Sequence, residues 1–187
     1  MKKRKYIMGM AIVAATFALA ACNDDGDVEQ KEEANEHSNM DHADMDHSGS
    51  PETPEGLKNA ENPKYEVGST ALIKEGHMEG MEGAEATIVG AYDTNVYAVS
   101  YTPEDGGAPV ENHKWIIQEE ISDAGDELLE PGTEIIIGAE HMKGMEGAEA
   151  VIDHCERTTV YMLDFTADGQ KVENHKWVTE SELSPTR

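Results

Sequence analysis

The chain has little of the material that usually stabilises an exported domain. Aromatic residues make up 5% of its 187 residues, and its two cysteines are Cys22 and Cys155. If Cys22 carries a lipid, as its context below indicates, Cys155 has no partner and a disulfide framework is excluded. The fold must therefore be stabilised by the packing of a modest apolar core.

Basic residues are also scarce. Lys and Arg number 14 against 39 Asp and Glu, which gives a formal net charge of −25. A surface of this sign repels phosphate, so the charge excludes nucleic acid as a natural partner and argues against a chain lying flat on an anionic lipid surface. Cations, by contrast, are attracted within a Debye length of about 8 Å at physiological salt.

Catalytic signatures are missing as well. The sequence contains no nucleophile elbow, no Walker loop and no His-Glu-x-x-His helix. No carboxylate pair stands out from a uniformly acidic chain, whose acidic runs are most often solvated surface. The sequence therefore gives no indication of an enzyme.

The one long apolar run lies near the N-terminus and indicates export. Basic residues at 2–5 precede an apolar segment over 7–20, which is too short for a normal membrane-spanning helix. The sequence Leu-Ala-Ala-Cys that ends at Cys22 resembles a bacterial lipobox. This resemblance implies that residues 1–21 are a signal peptide and that Cys22 becomes the lipidated N-terminus, anchored to the outer face of a membrane.

Residues 22–61 have the composition of a disordered acidic linker that is rich in His and Met. Within it, Met-Asp-His occurs twice and three histidines recur every five residues. Thioethers prefer Cu(I), whereas imidazole accepts both Cu(I) and Cu(II), and a flexible backbone lets weak ligands converge on one ion. We favour a copper site over a merely polar tether. The predicted ligands are His37, Met40, His42, Met45 and His47.

The rest of the chain repeats itself. The ten residues from His77 return from His141 with one substitution, at an offset of 64, and the Asn-His-Lys-Trp that ends at Trp115 returns at Trp177, at an offset of 62. The difference of two residues falls in a Gly/Asp-rich turn, as a hairpin loop tolerates. The repeats predict two folding units, 62–124 and 125–187.

Each unit contains short apolar stretches that predict four strands and a short closing strand. They lie at 70–73, 84–89, 97–101 and 113–117, and again at 134–137, 148–152, 161–165 and 175–178. This pattern predicts an all-β fold of two tandem small SH3-like β-barrel repeats after the linker. Because about 55 residues are marginal alone, the two copies are expected to pack against each other.

The repeated His-Met motif has two interpretations. Each copy places one imidazole and two thioethers within five residues, beside glycines that allow a tight bend, and this set would suit Cu(I). Alternatively, the motif is a glycine-rich loop whose methionines fill gaps in the core, an interpretation slightly favoured for Met81 and Met145. The candidate residues are His77, Met78, Met81, His141, Met142 and Met145.

Four further residues are weaker candidates for metal ligands. His113 and His175 precede the two tryptophans by two positions, and they are expected to form hydrogen bonds within the fold while the tryptophans pack in the core or between the repeats. His154 and Cys155 replace a Gly-Ala pair of the first repeat. Adjacent strand residues face opposite ways, so the simplest interpretation of Cys155 is a small buried residue.

Together, the lipobox, the His/Met linker and the doubled motifs resemble the YdhK-type lipoprotein family of Gram-positive bacteria. The resemblance covers residues 62–184 well and the linker only in character. It implies two SH3-like repeats on the outer face of the cytoplasmic membrane, and a link to copper resistance in some members.

The sequence thus predicts a non-enzymatic lipoprotein that binds or sequesters copper, or delivers it to a copper transporter. The alternative is an envelope interaction module whose SH3-like repeats bind cell-wall polymer or a protein partner.

Overall fold

The computed structural model describes residues 48–186, which form an almost entirely β-structure. Its strands are β1 (Lys58–Asn59), β2 (Thr70–Ile73), β3 (Glu85–Tyr101), β4 (Val110–Ile117), β5 (Glu134–Ile136), β6 (Glu149–Ala167), β7 (Gln170–Thr179) and β8 (Leu183–Pro185). Single 3-10 turns follow β4 and β7, at Gln118–Glu120 and Glu180–Glu182. Within the described range, no helix is long and apolar enough to cross a membrane. The predicted all-β fold with two repeats is confirmed.

The two longest strands, β3 and β6, form the centre of the sheet. They pair antiparallel from Ala86 opposite Phe165 to Tyr101 opposite Ala150. In the middle, Thr94 pairs with Thr158, which is its own counterpart at the offset of 64. The repeats are therefore related by a pseudo-two-fold axis at this pair. In each repeat, the predicted second and third strands form one continuous strand, β3 in the first repeat and β6 in the second. They are continuous because the residues between the predicted strands pair with the other repeat.

Each half of these long strands belongs to a different lobe. Lobe 1 consists of β2, the first half of β3, the second half of β6, β7 and β8, and its core joins Ile73 and Ile88 to Leu163 and Phe165. Lobe 2 consists of β5, the first half of β6, the second half of β3 and β4. Both cores therefore contain residues of both repeats.

The two packing units consequently differ from the predicted folding units 62–124 and 125–187. β8, at the end of the second repeat, pairs with β2 of the first, with Leu183 opposite Ile73. The physical reason is that β3 and β6 carry each repeat across the pseudo-two-fold axis. Each core can then close only with strands from the other repeat.

A third apolar cluster, the interlobe cluster, lies between the lobes. It contains both tryptophans, of which Trp177 is fully buried and Trp115 is 5% exposed. The other buried members are Val96, Ala98, Ile117, Val160 and Met162. This confirms the prediction that the tryptophans pack in the core or between the repeats.

Some residues that the composition assigns to the linker, 48–61, contact the folded region. Lys58–Asn59 pairs with β3 and Leu57 packs against the interlobe cluster. Hydrogen bonds to β7 and pairing with β3 hold these polar residues in addition to Leu57, and composition does not report such contacts. The leader, Cys22 and the predicted linker ligands at 37–47 lie outside the described residues.

Candidate functional site

The repeated His-Met motif forms the loops between β2 and β3 and between β5 and β6. Met81 and Met145 are fully buried in the cores of lobes 1 and 2. The backbone N–H of His77 lies 3.4 Å from the Met81 Sδ, which accepts its hydrogen bond. Met78 and Met142 are half-buried. The packing interpretation thus describes Met81 and Met145, whose thioethers are sealed from solvent.

Glycines of the motif are required by contacts with the hairpin loops. Gly80 and Gly144 have positive φ values of 73° and 77°, a region that residues with a Cβ rarely adopt. A Cβ on Gly80 would collide with the Asp168 carboxylate, and one on Gly144 would lie 3.0 Å from the Asp105 Oδ1. Each loop therefore packs against the hairpin of the other repeat, which gives these glycines a structural role.

The histidine that begins the first motif belongs to a buried polar cluster, cluster 1, around Glu182. The His77 Nε2 lies 2.8 Å from the Glu182 Oε1, and the Trp115 Nε1 donates to both carboxylate oxygens, at 3.0 and 2.8 Å. Thr179 donates to the Glu182 Oε2 through its backbone N–H, at 2.9 Å, and through its hydroxyl, at 3.0 Å. The Lys114 Nζ lies 3.5 Å from the Glu182 Oε1. Because Trp115 belongs to lobe 2 and Glu182 to lobe 1, this carboxylate fastens the lobes together.

Cluster 2 is the pseudo-symmetric counterpart, centred on Glu120. The His141 Nε2 lies 2.8 Å from the Glu120 Oε1, and the Trp177 Nε1 donates to the Oε2 at 3.0 Å. The backbone N–H of Ile117 donates to the same Oε2 at 3.1 Å. Cluster 2 thus repeats the arrangement with fewer donors.

The environment of Glu182 keeps it ionised. Burial by itself raises the pKa of this carboxyl, but the hydrogen bond and charge of His77, followed by the bonds from Thr179 and Trp115, lower its pKa to about 2. A buried carboxylate that is surrounded by donors and ionised at neutral pH is suited to hold structure rather than to exchange protons.

His113 lies beside cluster 2 and remains neutral. Burial lowers the pKa of His113 to about 4, with further lowering by the charges of His141 and His77 and an opposing effect of Glu120. The His113 and His141 ring centroids are 6.3 Å apart. The His113 Nε2 and the His141 Nδ1 are buried without a hydrogen-bond partner among the described residues. The expectation that His113 forms hydrogen bonds within the fold is therefore wrong for its Nε2.

The remaining candidate ligands are dispersed. His154 is exposed, with its ring centroid 6.1 Å from that of Trp115, whereas Cys155 is half-buried against the lobe 2 core, where burial raises the pKa of its thiol. His175 contacts Phe165 edge-on, at 5.5 Å between ring centroids. Between residues 48 and 186, no group of three or more His, Cys, Asp or Glu side chains is placed to hold a metal ion. The metal roles of these residues stay predictions.

Sequence reasoning missed the two central carboxylates. Glu120 and Glu182 were treated as part of an acidic, solvated surface, but they are 7% and 2% exposed. The sequence contains one signal for them. Glu120 lies five residues after Trp115, which donates to Glu182, and Glu182 lies five residues after Trp177, which donates to Glu120.

Known proteins are similar to this chain in sequence and in fold. The family described as "Protein of unknown function (DUF1541)" matches residues 67–118 and 131–180, one match in each repeat. The chain is 54% identical to the uncharacterized protein YdhK of Bacillus subtilis (strain 168) over 186 residues, which cover 98% of this chain and 91% of YdhK.

Solved structures agree with this relationship. A crystal structure of Bacillus subtilis YdhK, described as a DUF1541 family protein, has a TM-score of 0.74 and 61% identity and covers 78% of this chain and all of its own. A solution NMR structure of the YdhK C-terminal domain has a TM-score of 0.62 and 61% identity over 64% of this chain and 92% of its own. None of these names states a ligand or an activity. The predicted family resemblance is confirmed, and the chain belongs to the DUF1541 family.

Proposed function

We propose that the protein is an exported, lipid-anchored copper-binding protein whose ligands lie in the linker. The observation that carries the proposal is the doubled Met-Asp-His within residues 37–47, with a third histidine at the same spacing of five. Soft thioethers and imidazoles in one segment suit Cu(I), and the imidazoles with the intervening carboxylates also accept Cu(II). The strongly acidic chain supports the proposal by attracting cations.

The contacts of the folded region support the assignment of copper binding to the linker. Its loop histidines, His77 and His141, bind buried carboxylates, and its loop methionines Met81 and Met145 lie in the cores. Recruiting these groups to an ion would break the clusters that join the lobes. The folded region then serves as the scaffold, and Cys22 as the membrane anchor on the outer face of the cytoplasmic membrane.

The test is an anaerobic Cu(I) competition titration against a chromophoric chelator, using the soluble mature chain 23–187, which omits the lipidated Cys22. In the test variant, the three linker histidines become Asn and the two linker methionines become Leu. Substitution is preferred to truncation because residues 48–59 contact the fold. Ser38→Ala combined with Asn39→Gln, which changes the same linker without removing a soft ligand, is the matched control.

We expect the linker variant to lose at least about tenfold in Cu(I) affinity, about 1.4 kcal/mol, while the control retains it. Equal affinity in both would refute linker binding, and no competition by the parent chain would refute the copper proposal. Separately, Cys22→Ser should release the protein from the membrane fraction of cells that express the full chain.

A further inference from the structure

The pseudo-two-fold symmetry creates two equivalent surfaces along the Asn-His-Lys-Trp strands, and within residues 48–186 a chain segment covers one of them. On β7, the counterpart of β4, residues 48–52 are hydrogen-bonded to Glu173, Asn174 and Lys176. On β4, no segment of the described chain occupies the corresponding place. The two surfaces therefore differ in whether a segment of the described chain covers them.

The covered surface shows how such a peptide is held. The Gly49 N–H donates to the Glu173 carbonyl at 2.8 Å, and the Asn174 Nδ2 donates to the Gly49 carbonyl at 3.4 Å. The Lys176 Nζ donates to the backbone carbonyl of Glu52. Burial lowers the pKa of Lys176, as expected for an ammonium group under a covering segment.

The same segment then anchors itself in the sheet. Leu57 packs against the interlobe cluster, and Lys58–Asn59 forms β1 by pairing with Tyr92 and Asp93 of β3. Backbone hydrogen bonds, the Asn174 and Lys176 side chains and one apolar side chain thus hold a segment that is otherwise polar. Its pairing with β3 is the usual mode of peptide addition to a sheet edge.

Among residues 48–186, no segment covers the counterpart surface on β4. Asn112 is exposed, whereas its counterpart Asn174 is half-buried, and the Lys114 side chain is 32% exposed. Beside them lies a cavity of about 290 Å³, which we name the β4 cavity. Its lining includes Asn112, Lys114, Trp115, His154, Glu156 and Ala98. This volume lies at the lower limit for ligand sites and suits a side chain with a short stretch of backbone.

A free strand edge lies next to the β4 cavity. The counterparts of Tyr92 and Asp93 are Glu156 and Arg157 of β6. On the side away from β3, β5 pairs with β6 only at residues 149–151 and β7 only from Val160 onward. Among the described residues, no strand therefore occupies the place that β1 takes on β3.

The lining of the β4 cavity differs in sequence from the corresponding surface on β7. Ala98 stands where the second repeat has Met162, and both belong to the interlobe cluster. Alanine is the smaller of these two side chains, whereas His154, which stands where the first repeat has Gly90, has its ring centroid 6.1 Å from that of Trp115.

We propose that the β4 cavity binds an extended peptide segment of another protein, in the manner of residues 48–59 on β7. The peptide places a small residue opposite Glu111, offers a backbone carbonyl to Lys114 and inserts a leucine-sized side chain over Trp115. It then adds a short strand to β6 at Glu156 and Arg157. This inference does not depend on the copper proposal.

The occupant is a different protein rather than a second copy of this chain. In every copy, residues 48–59 are joined to their own surface by a short chain, so the intramolecular contact has a large advantage in effective concentration. If residues 48–59 moved to the β4 cavity of a second copy, they would leave their own surface on β7 uncovered. The mature chain is accordingly expected to remain monomeric.

The test uses ¹⁵N-labelled mature chain 23–187 and a synthetic peptide with the sequence of residues 48–59 as the probe. We expect saturable chemical-shift changes at the Trp115 indole N–H and at the Glu156 and Arg157 amides, with the Trp177 indole unchanged. A peptide with alanine in place of Leu57 should bind at least about tenfold more weakly. Absence of saturable shifts, or shifts confined to Trp177, would overturn the proposal.

Two variants of the cavity and one matched control sharpen the test. Lys114→Ala should weaken peptide binding several-fold, whereas Lys176→Ala, at the counterpart position, should leave it unchanged. Ala98→Met should abolish binding by filling the cavity, provided that the amide spectrum shows an intact fold. Equal effects of the two lysine variants would contradict the assigned site. Concentration-dependent dimerisation without peptide, measured by sedimentation, would assign the cavity to a second copy and overturn the choice of partner.

Discussion

Replacing Glu182 by alanine is the most direct test of how the two lobes are held together. The change removes the acceptor for the Trp115 indole, for the backbone N–H and hydroxyl of Thr179, and for His77. A buried donor that loses its acceptor costs about 1–3 kcal/mol, and breaking a buried ion pair from one side costs about 3–5 kcal/mol. Since these costs overlap, we expect Glu182→Ala to lower the free energy of unfolding by about 3–5 kcal/mol.

Glu120→Ala provides a matched comparison within the same molecule. Glu120 accepts one bond from Trp177 and one from the Ile117 N–H and contacts His141, but it has no counterpart of the Thr179 hydroxyl bond. One net hydrogen bond contributes about 1 kcal/mol, so Glu120→Ala should destabilise by about 1 kcal/mol less than Glu182→Ala. Glu182→Gln keeps the side-chain volume and one acceptor oxygen, so it should lower the free energy of unfolding by less than either alanine variant.

Urea unfolding of mature chain 23–187, followed by tryptophan fluorescence, measures these differences as shifts of the midpoint. The pH dependence adds an independent check on the charge. Because the pKa of Glu182 is lowered from 4.5 to about 2, its stabilisation is complete above pH 4.5 and is lost as the pH falls towards 2. The loss amounts to about 3 kcal/mol and should be absent in Glu182→Gln.

A loss below about 1 kcal/mol in Glu182→Ala would refute the assignment of this carboxylate as the fastening between the lobes. So would a larger loss in Glu120→Ala than in Glu182→Ala.

Three further predictions concern other parts of the fold. The lowered pKa of His113, about 4 instead of 6.5, means that the unfolded chain takes up a proton first, so stability should fall by about 2–3 kcal/mol from pH 6.5 to 4; urea midpoints across this range should show a weaker fall in His113→Leu, and an unchanged fall would contradict the assignment. Leu183→Ala should cost about 2–5 kcal/mol and, in hydrogen exchange, should loosen β2 more than β5, since Leu183 completes the lobe 1 core; equal loosening would contradict the shared core. Gly80→Ala should lower the thermal midpoint more than Gly83→Ala, because both have positive φ but only Gly80 abuts Asp168; equal shifts would argue against that contact.

Local pattern was sufficient to place most strands. The stretches predicted at 70–73, 113–117 and 175–178 lie within β2, β4 and β7, and the Gly/Asp turn before Val110 is a hairpin loop, as expected. Alternation of apolar residues reports which face of a strand is buried, and this information is local. It does not report where a strand continues, so the sequence predicts two separate strands in place of β3 and two in place of β6.

The candidate site was less accessible to such reasoning. Sequence composition made Glu182 one acidic residue among 39, and Met81 a candidate ligand. The role of each residue depends on its burial and on its contacts. For Glu182 the contacts come from Trp115 and His77, which lie 67 and 105 positions away along the chain.

The sequence by itself determined the all-β character, the two repeats, the hairpins and the family, because strand periodicity, turn chemistry and duplication are all written in nearby residues. Only the tertiary structure decided that the repeats exchange strands, that Glu120 and Glu182 fasten tryptophans of the opposite lobe, and that residues 48–59 cover just one of two equivalent surfaces. The reason is physical. Two copies of one pattern can close on themselves or on each other with the same local preferences, and the choice depends on long-range packing and on the pairing of buried polar groups.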